Sequence, residues 1–287
     1  MKNISIVQAK KNHQNIIIEF LIKNHVWKAP KSKWLNIFNN NWSNVNNYGY
    51  ILFDDEEIVG YFGLIFSHNQ HLKFNYTANI HSWVVLPKYR AYSLWLLRKV
   101  VTLENTFFIS HSTINKILKI YYKFNWKILD ESHYYLFGSF SFGSKAMTEL
   151  IDHNNYQLLP GDIKNIYNDH KEYNSIFMKL TIEKKSIYMI GKIKKFKKIF
   201  NFFEIIYISD VVLFNIYIDR LIRKIKKATN CSFLRIDSRF IKSPKKLISK
   251  KMKIKNFKKI YFCKNNINCS EYINIHNLYS EIFLLDT

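Results

Sequence analysis

The sequence predicts a mixed α/β fold built as two related domains, and three observations carry that expectation. Two apolar runs, Tyr48 to Phe53 and Ile58 to Ser67, flank the acidic tetrapeptide Asp54-Asp55-Glu56-Glu57, which is a hairpin signature. Strand-like runs then alternate with segments of helical period. The order hairpin, strand, helix, strand occurs twice along the chain, which reads as an internal duplication.

Taken in order, Ile4 to Val7 reads as a short strand and Asn12 to about His25 as a helix. After the hairpin, Thr77 to Val85 is β-rich and stops at Leu86-Pro87, where proline removes a ladder hydrogen bond. A helix is expected from Arg90 to Glu104, a strand from Phe107 to Ser110, and a helix from Thr113 to Phe124. A strand or pair over Trp126 to Phe137 completes the first half, and the small-residue stretch Gly138 to Gly143 marks the boundary. That gives a domain over 1–143 and a second over 144–287. The second half offers a helix at Asp162 to Tyr173, strands at Ile176 to Ile182 and Ile187 to Ile193, and a strand at Phe203 to Ser209. A helix at Val211 to Ala228 and a strand at Ser232 to Asp237 follow, then a Lys-rich stretch over 242–259. One last strand or two is expected over Asn274 to Leu285.

Composition narrows the function classes. The chain has 287 residues, 48% of them hydrophobic, so it carries ample material for cores. Only 7 Gly and 4 Pro exclude collagen-like sequence and Gly-rich phosphate loops. Three cysteines, Cys231, Cys263 and Cys269, cannot form a disulfide framework, and a reduced, cytoplasmic setting follows. Cys263 and Cys269 lack metal-ligand spacing, so no metal is expected. The most apolar stretch, Phe200 to Ile218, is broken by Glu204 and Asp210 and does not read as a membrane span. The formal net charge is +23, yet only 6 of the 44 basic residues are Arg. Lysine in excess together with asparagine and isoleucine reads as A/T-rich codon usage rather than as selection for reading phosphates and bases. The charge is therefore taken to steer a small anion rather than to mark a nucleic-acid surface.

Chemistry concentrates at Trp83-Val84-Val85-Leu86-Pro87-Lys88-Tyr89-Arg90-Ala91-Tyr92-Ser93-Leu94-Trp95. A strand running into Pro, followed by a basic residue and an apolar helix, offers orphan N–H groups at a helix mouth. Those groups and the helix dipole suit a pyrophosphate. Downstream, Tyr121-Tyr122-Lys123-Phe124-Asn125-Trp126 ends a helix at Asn125, a residue that tolerates the left-handed cap.

Together Ile-Val-Gly-Tyr (58–61), Val-Leu-Pro-Lys-Tyr-Arg (85–90) and Tyr-x-x-x-Asn-Trp (121–126) resemble the Gcn5-related N-acetyltransferase family, usually called GNAT, over residues 1 to 137. The resemblance implies a mixed, mostly antiparallel sheet flanked by helices, with acyl-coenzyme A as co-substrate in a splay between the fourth and fifth strands. It places the pantetheine arm against Trp83, Val84 and Val85. It places the pyrophosphate on Arg90, Ala91, Tyr92, Ser93, Leu94 and Trp95, and makes Tyr121 the acid for the departing thiolate. Ser93 and Trp95 stand where the family pattern has small residues, so the Trp95 indole would have to turn away into the core. The Trp-x-Val-x-Pro-x-Tyr-Arg segment, a degenerate second domain and the Tyr279-Ser280-Glu281 terminus resemble two-domain members that acylate nucleotide-linked amino sugars. That implies a dTDP- or UDP-linked amino-deoxysugar as acceptor, as used in O-antigen and other surface-polysaccharide synthesis, with the second domain completing the acceptor pocket. In the second half Ser209-Asp210 stands where an Arg90 counterpart would be, and an acidic residue at a helix N-terminus repels a pyrophosphate.

Transfer to an amine needs a proton acceptor and a donor for the developing oxyanion, here the backbone near Val84. His81, expected on one strand face with Asn79 and Trp83, and His111, after the fifth strand, are the candidate bases. Asn79, Arg235 and Arg239 are candidates for the acceptor, although Arg235, Asp237 and Arg239 also read as a surface ion ladder. Two alternatives remain: acylation of an RNA or protein amine, and a non-enzymatic binding module of the same shape.

Overall fold

The computed structural model describes residues 3–68, 74–140, 146–197, 199–244, 247–255, 257–263 and 275–285. The chain forms two compact units, the first made of Met1–Leu129, Lys258–Glu271 and Tyr279–Thr287, the second of Asp130–Phe257 and Tyr272–Leu278.

The first half runs β1 (Ile4–Gln8), α1 (Gln14–Asn24), α2 (Lys31–Asn39), β2 (Gly49–Asp54), β3 (Glu57–His68), β4 (Tyr76–Val85), α3 (Ser93–Val101), β5 (Thr106–Ile114), α4 (Asn115–Lys123) and β6 (Lys127–Asp130). The second half runs β7 (Ser132–Ser139), β8 (Met147–Ile151), α5 (Gly161–His170), β9 (Ile176–Ile182), β10 (Lys185–Phe196), β11 (Phe200–Ile208), α6 (Val211–Thr229) and β12 (Phe233–Asp237). It closes with β13 (Leu247–Lys253), β14 (Phe257–Phe262) and α7 (Glu281–Leu284). The strands make two seven-stranded sheets, ordered β1-β2-β3-β4-β5-β14-β6 and β13-β7-β12-β11-β10-β9-β8.

The expected mixed, mostly antiparallel architecture is observed, with one parallel pair in each sheet among the described pairings, β4·β5 and β11·β12. In both sheets a hairpin leads to an antiparallel strand, then a helix, then a parallel strand. Even the irregularity recurs: β3·β4 shifts register at Gly63/Leu64 and β10·β11 at Ile190/Gly191. The duplication read from sequence is thus a duplication of structure. Both hairpin turns use left-handed residues, Asp55 in the first and Glu183 and Lys184 in the second, as tight turns require.

Four expectations need correction. The boundary falls at 129/130 rather than at 143, because β7 enters the second sheet beside β12 and β13, while β14 returns to the first sheet. Residues 141–143 of the expected linker lie outside the described residues. The Lys-rich stretch over 242–259, for which no element was expected, supplies β13 and the start of β14, and most of β13 is exposed. The C-terminal stretch forms the short helix α7, not a strand, with residue 274 outside the described part. Finally, α2 was not expected, although Trp34, Ile37 and Phe38 lie at helical spacing and are buried. The core of the first unit packs Leu96, Leu97 and Val100 of α3 and Leu118 and Tyr121 of α4 against Leu64, Ala78, Ile80 and Phe108 of the sheet. Among the described residues no helix is long and apolar enough to cross a membrane.

Candidate active site

The site is built where β4 and β5 part. Their parallel ladder pairs Tyr76 with Thr106 through Asn79 with Ile109 and goes no further, although β4 continues to Val85 and β5 to Ile114. Residues 80–85 and 110–114 therefore present backbone edges to each other without laddering, and an extended chain carrying amides fits such edges.

Register within β4 decides which side chains belong to this opening. Ile80 pairs with Leu64 but Ser82 pairs with Gly63, so one extra β4 residue is bulged at His81. The bulge turns the following residues over. His81 packs on Trp34 and Tyr61, whereas Trp83 packs on Phe62 and Tyr121 in the opposite layer. The expectation that Asn79, His81 and Trp83 share a face holds for the first two and fails at the third. Gly63 makes room for this: a Cβ there would lie 2.2 Å from His81 Nε2.

His81 is enclosed. Its Nδ1 is 2.9 Å from Ser82 Oγ and its Nε2 is 3.5 Å from the Tyr61 hydroxyl. Burial, with the field of His25, lowers its pKa to about 3, so it stays neutral and holds a proton weakly. That weighs against His81 as the base. His111 lies on the unladdered part of β5 and is buried.

Asn79 is not a free acceptor-binding amide. It is buried, its Nδ2 donates to the Ile109 carbonyl at 3.4 Å, and its Oδ1 accepts the Glu281 amide at 3.1 Å. Glu281, to which the sequence reading gave no role, is buried at the start of α7, and its Oε1 accepts from Ser112 Oγ at 2.9 Å. Burial pushes its carboxyl up to about 7.

On the opposite layer Tyr121 is 1% exposed and meets Trp83 and Trp126 edge-on, with centroids 5.4 and 4.8 Å away. Burial raises its pKa, which keeps the hydroxyl protonated. Asn125 adopts the left-handed conformation, φ 61°, that the cap requires, and Trp126 N donates back to the Tyr121 carbonyl.

Beyond Pro87 the chain departs from expectation. A 3-10 segment, Pro87–Tyr92, leads straight into α3. The Ser93 amide donates to the Arg90 carbonyl, and Ser93 Oγ donates to it at 2.7 Å. Ser93 is therefore already committed, and no separate helix mouth opens at 91–95. Arg90, Ala91 and Leu94 are exposed, and Tyr92 is partly buried. Trp95 does not turn into the core: it is 47% exposed and packs edge-on against Tyr92.

No family model matches the chain, and no curated protein matches it. Solved structures do match. A candidate acetyltransferase from Pyrococcus horikoshii superposes with a TM-score of 0.56 at 11% identity, over 98% of this chain and 95% of that one. A GCN5-related N-acetyltransferase from Kribbella flavida gives 0.56 at 8% identity, over 91% of this chain and 71% of its own. Eis1 from Mycobacterium abscessus gives 0.52 at 10% identity, over 91% and 73%. The chain has the GNAT fold.

Within the GNAT fold the parted strands are the fourth and fifth of the first sheet, the pair the sequence resemblance singles out. The unladdered edges fit the pantetheine arm of a coenzyme A. Lys88 and Arg90 are exposed and would supply side-chain charge to a diphosphate, the Ser93 amide being already bonded to the Arg90 carbonyl. In the second GNAT unit the ladder β11·β12 likewise ends early, at Glu204 and Arg235. There Asp210 Oδ1 accepts the Leu213 amide at 2.7 Å, so an acidic cap occupies the start of α6.

The two arginines assigned to an acceptor are committed elsewhere. Arg235 pairs with Glu204 at 2.5 Å and lies over the Phe202 ring. Arg239, on a 3-10 turn rather than on the strand, is bound to Asp237 at 3.3 Å and Asn277 at 2.9 Å, and also to the Ile275 carbonyl. Its amide donates to Asp130 Oδ2 at 3.1 Å. Arg239 thus belongs to a buried polar cluster of the second unit, whereas Arg235 joins Glu204 and Lys194 in a partly exposed row of ion pairs across the strands. Cys269 lies outside the described residues.

Proposed function

We propose that this chain is an acyl-coenzyme A-dependent N-acyltransferase that acylates the amine of a small anionic acceptor by direct attack within a ternary complex. The observation that carries the reading is the end of the β4·β5 ladder at Asn79 and Ile109 in a sheet of GNAT fold. Trp83, Val84 and Val85 line the β4 side of that opening and would hold the pantetheine arm, with Arg90 supplying charge to the diphosphate. An N–H near Val84 would meet the oxyanion, and Tyr121, kept protonated by burial, would return a proton to the thiolate.

A nucleotide-linked amino-deoxysugar, dTDP- or UDP-linked, is the acceptor class we favour. The net charge of +23 supports an anionic acceptor, since it raises the encounter rate of anions with the surface. The resemblance of Trp83 to Arg90 to amino-sugar acyltransferases supports the sugar. Free thiol is followed while acyl-coenzyme A donors are paired with UDP- and dTDP-amino sugars. Thiol release that needs both partners supports the proposal, and no release with any amino-sugar nucleotide counts against that acceptor class. A protein that coenzyme A does not stabilise thermally would be a binding module, not an enzyme of this kind.

A further inference from the structure

The last helix delivers a carboxylate to the point where β4 and β5 separate. The Glu281 amide is held by Asn79, the last laddered residue of β4, and its Oε1 takes the hydroxyl of Ser112, three residues past the end of the ladder on β5. Its second oxygen, Oε2, is fully buried and has no hydrogen-bond partner among the described residues. A buried carboxylate oxygen without a donor is costly, and an incoming N–H would relieve that cost. The groups that act on this carboxyl are Ser112 from β5, Asn79 from β4, the residue's own amide and Lys259 from β14.

We propose that Glu281 is the general base of acyl transfer, its Oε2 receiving an N–H of the acceptor amine. The inference rests on the acyl-transfer reading above. As the ammonium enters, one N–H proton passes to Oε2. The freed lone pair forms the N–C bond to the thioester carbonyl, the C–S bond breaks, and the thiolate takes up a proton. The tetrahedral nitrogen loses its second proton to solvent, and Glu281 then releases the one it holds. The raised pKa of Glu281, about 7, matches this task, since a base works best when its pKa lies near the working pH. Burial, the largest influence, lifts that value, while hydrogen bonds from Ser112, its own amide and Asn79, and then the charge of Lys259, draw it downward. His81, at about 3, is the weaker acceptor by this criterion.

The test compares wild type, Glu281→Gln and Glu281→Asp with acetyl-coenzyme A and UDP-glucosamine, following free thiol across pH, with coenzyme A-induced thermal stabilisation measured in parallel. Wild type is expected to gain rate as pH rises through about 7. Glu281→Gln is expected to lose about 100-fold or more in kcat and to lose that pH limb, while coenzyme A stabilises it as it does wild type. Glu281→Asp keeps a carboxylate and is expected to keep the limb at reduced kcat, so a poorly folding Gln variant does not remove the test. A Gln variant with wild-type kcat and pH profile overturns the inference alone. Wild type that coenzyme A fails to stabilise overturns the acyl-transfer reading, and this inference with it.

Discussion

Asn79 holds both the end of a sheet ladder and the start of the last helix: its Nδ2 reaches the Ile109 carbonyl at 3.4 Å while its Oδ1 accepts the Glu281 amide at 3.1 Å. The side chain is fully buried, so neither partner has water as a substitute. Asn79→Ala leaves a buried donor and a buried acceptor unmade, which costs about 1–3 kcal/mol. Urea denaturation of the variant should show a lower midpoint with an unchanged slope. An unchanged midpoint would mean that Asn79 does not fasten α7.

Stability should depend on pH through groups of opposite sign. Glu281 rises from 4.5 to about 7 on folding, so the folded state binds its proton more tightly. Its contribution is complete below 4.5 and is lost as pH rises through about 7. His81 falls from 6.5 to about 3, and His170 to about 4. Their contributions are complete above 6.5 and are lost as pH falls toward those values. Each pKa unit is worth about 1.4 kcal/mol. Glu281→Gln should therefore raise Tm at about pH 8 and leave the acid limb in place. A variant whose Tm falls equally at all pH values would contradict the assignment.

Gly63 is required by its neighbour. A methyl group there meets His81 Nε2 at 2.2 Å and the Tyr61 ring at 2.8 Å, in a part of the sheet already bulged. Gly63→Ala should destabilise by about 1–3 kcal/mol through overpacking. Adding His81→Ala should recover part of that loss, which a double-mutant cycle reads as coupling between the two sites. Strict additivity would place the clash elsewhere.

Arg239 neutralises buried acid in the second unit. Its side chain is 8% exposed and faces Asp237, which His133 also approaches at 3.3 Å. Arg239→Met strands that carboxylate and should cost about 3–5 kcal/mol. Acyl-transfer KM measured on the folded fraction should stay at the wild-type value. A raised KM for the acceptor with intact stability would restore the phosphate role that the structure withdraws.

What the sequence disclosed was what local physics controls. The two hairpins follow from paired apolar runs on either side of Asp54 to Glu57 and of Glu183 to Lys185, where left-handed residues are needed and found. Asn125 as a cap and Asp210 as an acidic N-cap were legible for the same reason. What stayed hidden depends on partners far along the chain. The exchange that sends β7 to the second sheet and returns β14 to the first leaves no mark on either strand's own pattern. The bulge that separates Trp83 from His81 is a property of the β3·β4 register. Glu281 gains its place from Asn79 and Ser112, 202 and 169 residues away, and no motif announces such a contact. Trp95 was misplaced because the helix it sits on buries Leu96, Leu97 and Val100 instead.

The most direct measurement is a crystal structure of the protein with coenzyme A. The account predicts the pantetheine arm lying along Trp83 to Val85, inside the opening that begins past Asn79 and Ile109, with the diphosphate near Arg90. Coenzyme A bound elsewhere, with β4 and β5 closed against each other beyond Asn79, would contradict it.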